Sequence, residues 1–186
     1  MNLFLVPASP ENVKKTIASG VGIDVAERFL NSSQLESLKK VLVNKKTFNC
    51  WAMTESLRPV FDSMEKGDTV LLTVKSTGSF NYIASIIHKL ESEKLGDYLW
   101  PYIPGRPWKL IYVLDQITPI DINKSRLVSA LGYKHNDAVA GSRRVRYEYL
   151  DNILADYGSI SEFLKSFADE DSKSNWPQAG NRNNPE

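Results

Sequence analysis

The strongest constraint on the fold is a strand–turn–strand unit near the middle of the chain. Thr69-Val70-Leu71-Leu72-Thr73-Val74 is β-branched and apolar, and the Gly67-Asp68 turn precedes it. Such a run suits the pleated, half-buried surface of a sheet. Ser76-Thr77-Gly78-Ser79 then predicts a hairpin loop, and Phe80 to Ile87 the returning strand, with Ile83, Ala84, Ile86 and Ile87 available to a core. An antiparallel pair joined by a hairpin favours a mixed, largely antiparallel sheet over a doubly wound parallel one.

The remaining segments are read around that hairpin. Leu3 to Pro7 is a short apolar strand, and Ser9-Pro10-Glu11 opens a helix whose inner face carries Val13 and Ile17. Ser at the N-cap and Pro at the first helical position are the usual start. A second helix is expected after Gly20-Val21-Gly22. A third follows, capped by Ser32 or Ser33, with Leu35, Leu38 and Leu42 at spacings of three and four. Phe48 to Met53 is extended, and Leu57, Val60 and Phe61 share a helical face. Residues 89–99 read as short helix or loop. Trp100 to Trp108 holds three prolines, so it cannot be regular helix. Lys109 to Leu114 is a strand, Pro119 is expected to interrupt it, and Ile122 to Leu131 reads as a helix ending near Gly132. Gly141-Ser142-Arg143-Arg144-Val145 runs from a loop into a last strand, and two helical faces follow up to Phe167. The expected architecture is a mixed α/β (α+β) chain: an antiparallel-rich sheet curled into a barrel and flanked by helices.

At 186 residues the chain fits one domain, expected over residues 1–168. From Asp169 the apolar density collapses, and residues 169–186 read as a flexible linker toward a further domain. Cys50 is the only cysteine, which rules out an internal disulfide framework and suits a reducing compartment. Met1 to Ser9 lacks the pattern of a signal peptide, and nothing approaches the roughly 20 apolar residues of a membrane span. A cytoplasmic protein without membrane contact is expected. Net charge is +1, but residues 162–186 carry −2, which leaves +3 on the body. Lys45-Lys46 and Arg143-Arg144-Arg146 are the clusters suited to phosphate, arginine being the better partner.

Several chemistries lack their signatures. There is no phosphate-binding G-x-x-x-x-G-K-[ST] loop, no G-x-G-x-x-G after a strand and no G-x-S-x-G elbow. His88, His135 and Cys50 are too scattered to suggest zinc. No catalytic residue, metal or cofactor is signalled.

The placement of tryptophan is unusual. Trp51 ends a short extended run, Trp100 and Trp108 lie in a proline-rich loop, and Trp176 is in the tail. Loops are normally polar, so large rings there need a reason. The order of residues 48–112 carries a pattern: F-N-C-W-A-M-T-E-S, a helix, a strand–turn–strand, Y-L-W-P, then W-K-L-I-Y-V. Over roughly residues 45–147 this resembles the EVE, YTH and PUA-like superfamily of modified-base readers. With its longer leading region it is similar to the N-terminal domains of McrB-type modification-dependent restriction proteins.

The resemblance implies a binding module rather than an enzyme. In it, Trp51 and Trp100 would wall a cage around a flipped, methylated base. Trp108 competes for the second wall, and Phe80, Tyr82 or Tyr102 could supply a third. Asn49 and Thr54 lie where polar side chains meet the base edge. Lys45, Lys46, Arg106, Arg143, Arg144 and Arg146 would grip phosphates. The implied partners are methylated DNA and an effector or nuclease; methylated or structured RNA, or an enzyme of the same fold, are the alternatives. Truncating Trp51 or Trp100 is expected to cost about 1–3 kcal/mol of binding with little loss of fold.

Overall fold

The structure is a computed structural model and describes residues 1–101 and 103–167. The expected linker, residues 169–186, lies outside the described residues, as do Tyr102 and Trp176. Seven strands are described: β1 Leu3–Ala8, β2 Val21–Gly22, β3 Thr47–Met53, β4 Thr69–Val74, β5 Ser79–Glu91, β6 Leu110–Asn123 and β7 Arg143–Arg144. They form one sheet in the order β2-β3-β6-β5-β4-β1-β7. Every pairing is antiparallel except β1 with β4. Eight α-helices among the described residues accompany it: α1 Pro10–Val13, α2 Ile23–Phe29, α3 Ser32–Leu42, α4 Arg58–Asp62, α5 Glu93–Leu99, α6 Lys124–Ala130, α7 Tyr147–Tyr157 and α8 Ile160–Lys165. The chain is therefore a mixed α+β fold built on a curled, mostly antiparallel sheet, as the sequence predicts.

Alternation along the strands explains the layers. In β1, Leu3 and Leu5 face one way, while Phe4, Val6 and Ala8 face the other. The second set joins Val70, Leu72, Ala84, Ile86, Leu110, Tyr112, Trp51 and Met53 inside the curl. Val13 and Ile17, from α1 and the turn of helix after it, and Phe61 from α4 complete this interior. Outside the curl, α6 to α8 cover Leu3, Leu5, Leu71 and Phe80, and α2, α3 and α5 cover Phe48, Cys50, Ala52, Ile111 and Val113. The long strands β5 and β6 supply all three layers. They do so because their pairing shifts register at three places, between Phe80 and Tyr82, Ile83 and Ser85, and Ile86 and His88. Each shift bends the ladder and changes which face a side chain meets.

Three local expectations need correction. β6 does not stop near Pro119 but runs on to Asn123, and the helix expected from Ile122 begins at Lys124. Pro119 is tolerated because it pairs with Tyr82 beside a register shift, where the missing N–H costs least. β5 continues past Ile87 to Glu91. Finally, α3 is capped by Asn31 rather than Ser32 or Ser33. Asn31 Oδ1 accepts from the Gln34 amide at 2.9 Å, and the Gln34 side chain accepts from the Asn31 amide at 3.2 Å. That reciprocal pair satisfies two orphan donors at once.

Candidate nucleic-acid interface

The end of β3 sets the site. Trp51, Tyr112 and Lys89 lie side by side across β3, β6 and β5 in the ladder. Trp51 and Tyr112 both belong to the interior cluster. Lys89 Nζ donates to the Phe61 carbonyl at 2.8 Å and stands 4.8 Å from the Phe61 ring centroid. One row further, Met53, Leu110 and Glu91 close the barrel end. From there α5 and the loop 100–109 rise, and Trp100 is the residue that ends α5.

The structure brings Trp51 and Trp100 together. Their ring centroids are 6.5 Å apart, with planes at 74°. Trp51 is 5 % exposed and Trp100 3 %, so each ring largely covers the other's approach. A base between parallel rings needs walls about 7 Å apart, two contacts of about 3.5 Å. The observed pair is edge-on and slightly too close, and no base-wide slot separates the rings in this conformation. Both rings are core residues as well. The expectation that truncating them leaves the fold intact is thus corrected, because Trp→Ala at a buried site costs about 3–5 kcal/mol.

Three buried polar atoms of α5, its end and the neighbouring strand have no hydrogen-bond partner among the described residues: Asp97 Oδ1, Trp100 Nε1 and the Tyr112 hydroxyl. Buried polar groups are nearly always paired, so such exceptions mark places where something else can bind. Burial holds the Tyr112 pKa well above its ordinary value, with Cys50 adding to the effect. The hydroxyl therefore stays protonated and can donate. Tyr112 has no prominence in the sequence, where it sits in an ordinary apolar run. Its pairing opposite Trp51 is what brings it into the site.

The other sequence-predicted residues are distributed as follows. Asn49 Nδ2 donates to the Ile17 carbonyl at 2.6 Å, with Thr16 at 3.5 Å, and so ties β3 to the segment after α1. This link closes the curl where no strand pairing does. Thr54 shares a hydrogen bond with Ser56 at 3.0 Å beside an ion-pair network. In that network Arg58 bridges Glu55 and Glu91, and Lys109 reaches Glu55 at 3.1 Å. The Glu55 carboxyl is held at about 2 by its hydrogen bonds to Arg58 and Lys109.

Trp108 is half-buried against the outer cluster of α2, α3 and α5, and its indole donates to the Pro101 carbonyl at 3.0 Å. It pins the loop rather than facing Trp51. Phe80 is fully buried in the cluster outside the curl, beneath α6 to α8. Tyr82 lines a separate cleft of about 350 Å³ with Val13, Lys14, Val74 and Asn81.

The cationic residues do not form one surface. Lys45 and Lys46 precede β3 while α4 follows it, and seven strand residues at about 3.3 Å each put roughly 20 Å between those ends. Lys45 is paired with Asp115 at 2.7 Å. Arg143 is paired with Asp137 at 2.8 Å and lies over Tyr133, and Arg146 reaches Glu148 at 3.9 Å. Arg144 lies over Tyr147, 4.1 Å from its centroid, and makes no ion pair among the described residues. Arg143, Arg144 and Arg146 do share a cleft of about 440 Å³ with Pro59, Val60 and Ser63 of the α4 region, close to the end of β3. Arg106 is exposed in the loop. Among the described residues there is no cluster of histidine, cysteine and carboxylate fit for a metal ion, and no helix long and apolar enough to cross a membrane.

Neither models of known protein families nor curated proteins give a match to this chain. Solved structures do. The N-terminal domain of Thermococcus gammatolerans McrB bound to m5C DNA matches with a TM-score of 0.61 at 18% identity, over 83% of this chain and 96% of that domain. The ASCH protein of Zymomonas mobilis matches at 0.49 and 10% identity over 83% and 98%. The YTH domain of Zygosaccharomyces rouxii MRB1 in complex with N6-methyladenosine RNA matches at 0.43 and 17% over 88% and 90%. By its curled sheet, its flanking helices and its likeness to the McrB domain, this chain has a PUA/EVE-like fold.

Proposed function

We propose that the chain is a reader of modified nucleic acid that takes one methylated base, flipped from its strand, into the barrel end between Trp51 and Trp100. The observation that carries this is the meeting of two tryptophans at 6.5 Å, with Tyr112, whose buried hydroxyl has no partner, paired opposite Trp51 in the ladder. The McrB domain of the same fold is bound to m5C DNA, which favours DNA and a place in a modification-dependent restriction system. An effector or nuclease would act on what this module finds.

The energetics are consistent with the task. Extruding a base costs a few kcal/mol. Stacking returns about 1–3 kcal/mol per base, so two indole faces can offset the extrusion. Burying a methyl adds only about 0.8 kcal/mol, roughly fourfold. Further selectivity needs a polar contact that is lost when the base sits wrongly. The Tyr112 hydroxyl and Trp100 Nε1 are the groups free to make it. Because the rings are edge-on, entry requires Trp100 to turn aside on the loop after α5, while Trp51 is fixed on β3.

The test is binding of matched DNA and RNA oligonucleotides carrying 5-methylcytosine, N6-methyladenine or no methyl group. Preference for one methylated DNA, lost in Trp51→Phe and in Tyr112→Phe, supports the reading. Equal affinity for all the oligonucleotides overturns it.

A further inference from the structure

We propose that Lys15, Arg28 and Tyr98 form a strand-binding platform that holds a phosphate and a neighbouring base of the nucleic acid whose modified base enters beside Trp100. The proposal rests on the reading above and names where the rest of the strand lies. Tyr98 is on α5, two residues before Trp100, and is 44 % exposed. Its ring leans on Phe29 of α2, centroids 4.7 Å apart and planes at 34°. Phe29 is half-buried, so it backs Tyr98 and fixes its orientation.

Two exposed cations sit on this ring pair. Lys15 Nζ is 5.2 Å from the Tyr98 centroid and donates to the Tyr98 carbonyl at 3.0 Å. Arg28 Cζ is 5.2 Å from Phe29 and 5.6 Å from Tyr98. Neither cation has a carboxylate partner among the described residues, and Asp97, beside Tyr98, pairs with neither. By contrast Lys45, Arg143 and Arg146 each face an acid. Like charges over one ring repel, and an anion between them relieves the repulsion. A phosphodiester supplies that anion, and the base attached to it supplies a flat face for Tyr98.

The platform also adjoins both anchors of the barrel end. Lys15 precedes Thr16 and Ile17, whose carbonyls hold Asn49, and Tyr98 leads directly into the loop that carries Trp100. A strand lying over Tyr98 therefore passes the ring that must move for a base to enter.

The experiment is a salt titration of the full chain with fluorescent methylated and unmethylated oligonucleotides. It compares the parent, Lys15→Gln/Arg28→Gln, Tyr98→Ala and Trp51→Phe. Between about 50 and 200 mM salt, each duplex phosphate contact loses about 3.5-fold in affinity, so the double variant, which lacks the one phosphate contact of the platform, should lose about 3.5-fold less over that range than the parent. Its preference for the methylated strand should be unchanged. Tyr98→Ala should weaken both strands at every salt concentration. An unchanged salt dependence in the double variant, while Trp51→Phe loses methyl preference, overturns the platform and spares the base-binding reading. Failure of the parent to bind any oligonucleotide at the lowest salt overturns both. Lys15 and Arg28 are exposed, so a thermal melt matching the parent establishes that the variant folds.

Discussion

Gly96 is the residue on which the loop bearing Trp100 and Trp108 is seated, and Gly96→Ala is a sharp perturbation of it. A Cβ at this position would stand 1.9 Å from the Trp108 carbonyl oxygen and 2.6 Å from its carbon. Ordinary contact is about 3.5 Å, so the helix and the strand entry must separate by roughly 1.5 Å. Two effects oppose each other. Alanine is the better helix former by about 1 kcal/mol. Overpacking against a surface that cannot give costs about 1–3 kcal/mol or more, and here the obstacle is backbone rather than a flexible side-chain end. The clash should win, with net destabilisation of about 1–2 kcal/mol. Urea unfolding should show a lower midpoint at unchanged slope. Binding of a methylated oligonucleotide should weaken further than stability alone explains, because Trp100 moves with the loop. Gly105→Ala is the control: φ is +69° with nothing within 4 Å, so only the left-handed backbone is penalised, about 1 kcal/mol. A Gly96→Ala protein as stable as the parent, binding equally well, would refute the close-approach argument.

Other outcomes follow from the same structure. Asn49→Ala removes the donor to the Ile17 and Thr16 carbonyls and should cost about 1–3 kcal/mol, read as a lower urea midpoint. An unchanged midpoint would mean that the link does not close the curl. The Glu55 carboxyl is depressed from 4.5 to about 2, so its contribution to stability is complete above the unfolded value and is lost as pH falls from 4.5 toward 2. Midpoints measured across that window should decline less steeply in Glu55→Gln than in the parent, and parallel declines would contradict the assignment. Burial holds the Cys50 thiol well above its ordinary range, so a thiol reagent at mild alkaline pH should label the unfolded chain and leave the native one unmodified. Rapid labelling of the native protein would place Cys50 at an opening rather than beneath α2, α3 and α5.

The sequence was legible where one physical pattern acted alone. The apolar, β-branched run 69–74 defines β4 at both ends, and Ser9-Pro10 starts α1 as its chemistry requires. It was less legible where tertiary pairing overrode a local signal. Pro119 reads as a strand breaker, yet a register shift opposite it lets β6 continue. The cap of α3 could be any of three neighbouring polar residues, and only the reciprocal bond with Gln34 selects Asn31. Site residues posed a different difficulty. The family resemblance implied that Trp51 and Trp100 converge, but not that their rings would be edge-on and buried. Charge counting along the chain favoured Arg143 and Lys45. It could not show that Asp137 and Asp115 fold against them, whereas Lys15 and Arg28 stay uncompensated. Tyr112 carries no local signal, because a tyrosine within an apolar strand reads as core until its hydroxyl is found without a partner.

Entry of a base between Trp51 and Trp100 can be watched by NMR of the indole N–H signals, assigned through single Trp→Phe variants, during titration with methylated and unmethylated oligonucleotides. The Trp51 and Trp100 signals should shift strongly and only with the methylated strand, Trp100 the more so because its Nε1 gains a partner, while Trp108 keeps its bond to Pro101. Binding that shifts signals elsewhere and leaves the Trp51 and Trp100 indoles where they were would contradict entry of a base between them.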